Sequence, residues 1–188
     1  MTLRWMKIAL VALALAAWAG VSPGLAQGLP GGGIFGEEDR DWNVPPTQTL
    51  RKADYHAPTP RSIPGGRVVT TGELAAMLTR ENRPWLIDVL GGGMHRTISG
   101  AFWMSGAGDG EMTREEEQRF LKALGSFSGG DKSRPFVFFC VDAECWLSYN
   151  AALRAIAAGY TNVMWYRGGI AAWRMGGQLM SMSDPFAW

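Results

Sequence analysis

The chain has 188 residues, enough for one domain with an adequate core, and its hydrophobic content of 47% is that of a globular protein. A formal net charge of +1, with no basic cluster, gives no electrostatic case for a nucleic-acid partner. Nine tryptophans predict either broad aromatic packing or an aromatic surface.

The N-terminus has the pattern of a targeting segment. Arg4 and Lys7 precede an apolar run from Ile8 to Ala19 that is too short for a comfortable membrane span. Pro23 and Gly24 break it, and Gly24-Leu25-Ala26 places small residues beside a cut after Ala26. The pattern predicts a cleaved signal over residues 1–26, favoured over an uncleaved anchor. The mature protein is then expected in a bacterial periplasm, with no stable membrane span. That compartment permits disulfides, and the chain holds two cysteines.

Residues 27–66 read as an extended arm. Gly28 to Gly36 is a glycine-rich linker, and Pro45, Pro46, Pro58, Pro60 and Pro64 impose an extended path. Trp42, Tyr55 and Ile63 are the side chains expected to pin this arm to the domain surface.

Residues 67–182 read as one domain. A strand is expected from Arg67 to Thr70, then a helix capped by Thr71 that ends near Arg80. Trp85 to Leu90 forms a central strand, closed by Gly91-Gly92-Gly93, and Ile98 to Met104 a further short one. Thr113 and Glu116 have capping-box spacing, and Phe120, Leu121 and Leu124 give that second helix its buried face. Phe136 to Phe139 is a continuous apolar run, as in a strand covered on both faces. A loop follows, bounded by Cys140 and Cys145. A helix then runs from Trp146 to Gly159, with Trp146, Tyr149, Asn150, Leu153 and Ala157 on one stripe. Asn162 to Tyr166 is a strand, and Ile170 to Arg174 a short helix. Strands alternating with helices predict an α/β fold whose mostly parallel sheet is flanked by helices. Ligands on such sheets sit at the carboxyl ends of strands, where Cys140 falls. Helix-start amides and the helix dipole favour a thiolate there.

Three stretches, in order, resemble a rhodanese-like domain. They are Leu86-Ile87-Asp88-Val89 with Ile98-Ser99-Gly100-Ala101, then Phe138-Phe139-Cys140 with its loop and helix, then Gly159-Tyr160-Thr161-Asn162-Val163 with Gly168-Gly169-Ile170-Ala171-Ala172-Trp173. Cys140 to Cys145-Trp146, with Ser148 to Ala152 and the arm segment Tyr55 to Pro60, is similar to a secreted subgroup named for a cysteine–cysteine–tryptophan motif. That subgroup is associated with quinoprotein (PQQ-dependent) alcohol catabolism. The resemblance implies a quinoprotein dehydrogenase or a c-type cytochrome as partner. A catalytic rhodanese loop often ends in arginine five positions after its cysteine; here that position is Cys145. The loop residues Val141, Asp142, Ala143 and Glu144, expected with Trp146 to line the substrate site, include two acids and no base. Negative charge opposes both thiolate formation and thiosulfate binding, which counts against ordinary thiosulfate chemistry.

The cysteine pair admits three readings. Cys140 takes a sulfane sulfur from a small donor and Cys145 resolves the persulfide. Alternatively, the pair exchanges as a reversible dithiol–disulfide with a partner thiol. In the third reading Cys140–Cys145 is a fixed disulfide in a domain that only binds. A disulfide in the isolated protein is expected. Its short loop removes little denatured-state entropy, so a purely structural role returns little stability.

No cofactor is expected, because Gly91-Gly92-Gly93 lacks the Gly-Lys-Ser/Thr continuation of a nucleotide loop. No metal is expected either: two cysteines, with His56 and His95, fall short of a usual structural zinc set, and most of the ten methionines sit at core-like positions. Asp88 is expected to cap a turn, and His95 and Arg96 to lie on a solvated loop. Trp103, Trp165 and Trp173 are expected in the core, and Trp146 either shields the sulfurs or staples the helix to the sheet.

Overall fold

A computed structural model describes residues 35–188. The expected signal, its cleavage point and most of the glycine linker lie outside the described residues.

The elements follow in the order β1 (Arg67–Val68), α1 (Thr71–Leu78), β2 (Trp85–Asp88), β3 (Arg96–Ile98), β4 (Phe102–Trp103), α2 (Arg114–Ser128), β5 (Phe136–Phe139), α3 (Trp146–Ala157), β6 (Val163–Tyr166), α4 (Gly169–Met175) and β7 (Met180–Met182). Five strands form one parallel sheet in the order β1-β6-β5-β2-β4. β5 lies at its centre, with Phe138 beside Ile87 on one neighbour and Trp165 on the other.

The alternation along β5 explains why four apolar residues run together. Phe136 and Phe138 join a cluster with Phe120 and Leu124 of α2 and with Tyr149 and Ala152 of α3. Val137 and Phe139 point the other way, into a cluster with Leu74 of α1 and with Ala172 and Trp173 of α4. Successive side chains alternate across a strand, so a sheet covered on both faces demands an unbroken apolar run. Trp103, Trp165 and Trp173 are all buried, as expected.

Several details differ from the sequence reading. The cap of α1 is Thr70, whose hydroxyl accepts from the Glu73 amide while the Glu73 carboxylate accepts from the Thr70 amide. The Thr71 side chain donates instead to Glu38 of the arm. Thr113 and Glu116 form the expected capping box of α2. The expected strand from Ile98 to Met104 divides at Gly100, which turns with φ +83°. Its first part pairs antiparallel with β7, and its second joins the main sheet beside β2. β7 itself was not expected, since Met180-Ser181-Met182 is too short for periodicity to register. Met94, Met175 and Met182 are exposed, contrary to a core position. No helix among the described residues is long and apolar enough to cross a membrane.

The candidate site: a cysteine pair under the arm

Cys140 directly follows β5, and Cys145 occupies the cap position of α3, so strand and helix fix the two ends of the loop. The two form a disulfide with Cα atoms 6.1 Å apart. Cys140 is fully buried and Cys145 is 4% exposed. The loop between them holds its own shape. The Asp142 carboxylate accepts from the Glu144 amide at 2.9 Å, and the Asp142 carbonyl from the Cys145 amide at 3.2 Å. From the far side, the amides of Ile170 and Ala171 donate to the carbonyls of Cys140 and Val141 at 2.9 and 2.8 Å. A side chain at Gly169 would lie within 2.5 Å of the Cys140 carbonyl oxygen, and its φ is +59°, so glycine is required there. Asp142 thus acts first as a loop builder, and Val141 and Ala143 pack inward.

The arm covers this loop. The Ala57 amide donates to the Glu144 carbonyl at 2.9 Å and the Trp146 amide to the Tyr55 carbonyl at 2.8 Å, pairing His56 antiparallel with Cys145. The Thr59 hydroxyl donates to the Ala143 carbonyl at 2.5 Å, and His56 meets the Asp142 carboxylate at 3.2 Å. Trp146 takes part in this cover. Its indole N–H donates to the Pro58 carbonyl at 3.1 Å, and the Arg51 guanidinium lies 5.0 Å from its ring centroid. It staples the arm to the helix. The same stripe of α3 continues the attachment. Asn150 pairs with both backbone groups of Arg51 at 2.9 and 2.7 Å and also donates to Gly108 at 2.9 Å. The Tyr149 hydroxyl accepts from the Thr47 amide and donates to its carbonyl. Burial raises the Tyr149 pKa, and its bond to Thr47 partly offsets the rise. Leu153 continues this stripe into the core, whereas Ala157 is exposed, so the stripe stops one turn early.

The expected pins are in place. Tyr55 bonds Asp109 at 2.8 Å and accepts from the Gly110 amide at 3.0 Å, and Ile63 is buried. The ring centroid of Trp42 lies 4.5 Å from the guanidinium of Arg167. Arg167 is a site residue that sequence reading missed. It follows β6 at the same end of the sheet as Cys140 and is 1% exposed. Its Nε donates to the Thr59 hydroxyl at 2.9 Å, its Nη1 to the carbonyls of Glu37 and Glu38, and its Nη2 to the Thr59 carbonyl. Burial, and then the charge of Arg61, bring its pKa down to about 10. The available signal was positional: a charged residue between an apolar strand and Gly168-Gly169, at the end of the sheet where the cysteine loop lies.

Asp88 ends β2 and is fully buried. It caps a turn, as expected, by accepting from the Leu90 amide at 2.9 Å. Its other oxygen holds Thr97 at 2.5 Å and His95 Nε2 at 2.8 Å. His95 is therefore tucked against Asp88 and edge-on to Trp103, with its backbone N–H on the Ser183 hydroxyl, and does not lie on a solvated loop. Arg96 alone of that pair is exposed.

The fold and the cysteine-bearing strand–loop–helix at its mouth agree with what comparison finds. Residues 70–175 match the model of the rhodanese-like domain, which spans more than half of the chain, and the protein belongs to that family. No curated protein matches it. Among solved structures, it resembles EanB in complex with ergothioneine covalently linked with a cysteine persulfide, at 18% identity and a TM-score of 0.50 over 66% of this chain and 34% of that one. A thiosulfate sulfurtransferase from Pseudomonas aeruginosa aligns at 18% identity and a TM-score of 0.45, over 64% of this chain and 21% of that one. The Alr3790 protein from Anabaena sp. aligns at 20% identity and a TM-score of 0.42, over 60% of this chain and 90% of that one. The chain spans about a third of the length of EanB, and likeness at this level concerns the fold alone.

Proposed function

We propose that this is a periplasmic rhodanese-like accessory protein whose cysteine pair carries sulfane sulfur or exchanges disulfides, in a pathway of quinoprotein (PQQ-dependent) alcohol oxidation. The observation that carries the chemistry is the Cys140–Cys145 disulfide at the C-terminal mouth of the parallel sheet. In this reading the disulfide is the resting product of a cycle. A partner dithiol reduces it, giving up two electrons and leaving two cysteine thiols here and a disulfide on the partner. The Cys140 thiolate then attacks a sulfane donor, breaks the donor's sulfur–sulfur bond and keeps the outer sulfur as a persulfide. The Cys145 thiolate attacks the inner sulfur of that persulfide, hydrosulfide leaves with the electron pair, and the disulfide re-forms. With a partner thiol as acceptor the outer sulfur is passed on instead. The periplasmic setting rests on the signal-like residues 1–26, and the quinoprotein or cytochrome partner on the cysteine–cysteine–tryptophan resemblance.

One observation favours a second reading. Both cysteines are buried beneath the arm, as in a non-catalytic binding module stabilised by a fixed disulfide. Intact mass separates the two. The Cys145→Ser variant lacks the resolving thiol, so after incubation with a persulfide donor it is expected to accumulate one extra sulfur on Cys140. A Cys145→Ser protein that is folded and has a titratable Cys140 thiol, yet takes up no sulfur, would favour the binding module.

A further inference from the structure

Arg154 of α3 is 5% exposed, and sulfur transfer at the cysteine loop makes no use of it. Its Nη1 is buried and has no hydrogen-bond partner among the described residues. It lies well beyond Cys145, about 14 Å along the helix at 1.5 Å per residue. We propose that Arg154 anchors a second binding site, away from the cysteine pair, that takes a small aliphatic monocarboxylate. The guanidinium holds the carboxylate head, and apolar side chains hold the chain.

Three observations carry this. First, there is room. Arg154 lines a cavity of about 410 Å³ between the arm and the C-terminal half of α3, a volume in the range of small-molecule sites. The arm contributes Leu50 and Pro64 to the lining and α3 contributes Leu153 and Ile156, while no residue of the cysteine loop takes part.

Second, the cation is short of partners. Among the described residues the one carboxylate within 4.0 Å is that of Glu117, which stands 4.0 Å from Nε, beyond hydrogen-bond distance, with its side chain 49% exposed. Burial is the main influence on Arg154 and lowers its pKa, and the charges of Glu117, then Asp109 and Tyr55, act the other way. A buried donor without a partner gains a hydrogen bond from an acceptor that reaches it, and a stronger one when the acceptor is charged.

Third, the polarity of the lining selects the ligand. Arg154 is its single cation and is set among aliphatic side chains, which suits an amphipathic anion entering head first. Glu117 lines the same cavity, and its carboxylate disfavours a second negative charge on the ligand.

The test is a titration of the full chain followed by amide resonances, at fixed pH and ionic strength. The probe is sodium hexanoate, with hexan-1-ol as its neutral counterpart and adipate as its dicarboxylate counterpart. Hexanoate is expected to shift the amides of Leu50 and of residues 153–157 saturably. Hexan-1-ol should bind about tenfold more weakly, the loss of one charge-assisted hydrogen bond, and adipate more weakly than hexanoate. Arg154→Met replaces the guanidinium by an apolar chain, an exchange that buried ions often tolerate, and should abolish the preference for hexanoate over hexan-1-ol. Should that variant not fold, Glu117→Gln serves: it removes the opposing carboxylate at a half-exposed position and should tighten hexanoate about threefold. Absence of saturable shifts at these amides, equal binding of hexan-1-ol in the wild type, a preference retained in Arg154→Met, or hexanoate bound no more tightly by Glu117→Gln would each overturn the proposal. Neither cysteine takes part, so this titration and sulfur uptake by Cys145→Ser stand or fall separately.

Discussion

The sheet and the arm are both ordered parts of this molecule, but different forces hold them. The sheet is held by burial: β5 is apolar from end to end, and every one of its side chains is fully covered. The arm from Val44 to Thr59 has hardly any buried apolar side chains, and is fastened by side chains of α3 reaching its backbone. Apolar burial is non-directional and spread over many contacts, whereas each hydrogen bond of the arm can be exchanged for one to water. The difference teaches where motion is to be sought. The sheet positions Cys140, and the arm lies over the loop that follows it.

The comparison is tested most severely by Phe138→Ala. It opens a cavity at the centre of the sheet and is expected to cost about 3–5 kcal/mol in urea unfolding, with amide protection lost throughout. Asn150→Ala should be smaller and of a different kind. It leaves the backbone groups of Arg51 and Gly108 unpaired, for about 1–3 kcal/mol. In hydrogen exchange the amides of residues 47–59 should lose protection while those of β5 keep theirs. Equal loss in both regions would show that arm and sheet open as one unit.

That contrast also sets what could be read from the sequence. The central strand, the capping box of Thr113 and Glu116, and the placement of Cys140 at a strand end were legible, because each depends on local spacing. The arm was visible only as proline spacing with Trp42, Tyr55 and Ile63 as pins. Its course was not legible, because its fastenings to Asn150 and Arg167 span about a hundred residues of chain and leave no period. The role of His95 was missed for the same reason. Its burial depends on Asp88 and on Ser183, which a short unexpected strand brings alongside.

Two smaller effects sharpen the picture at the surface. Thr113→Ala removes the α2 cap and should cost about 1 kcal/mol without disturbing the arm, as read by thermal unfolding together with arm-amide exchange. Smaller still is the acid dependence from Glu116. Its carboxyl is held below the ordinary glutamate range by the Thr113 amide and hydroxyl. A carboxylate with a lowered folded pKa contributes stability that is present above its unfolded value and lost as pH falls through the folded one. The wild-type melting temperature should therefore decline as pH drops below 4.5, and Glu116→Gln should flatten that part of the slope. An unchanged slope would remove this carboxylate from the acid limb.

The account as a whole stands on the cysteine pair being a working disulfide and not a permanent clamp. The direct measurement is thiol titration of the purified full chain in mild reductant, with circular dichroism followed in the same sample. The account predicts that two thiols appear while the folded spectrum is retained, and that re-oxidation restores the bond. Thiols that appear only together with loss of the folded spectrum would contradict it.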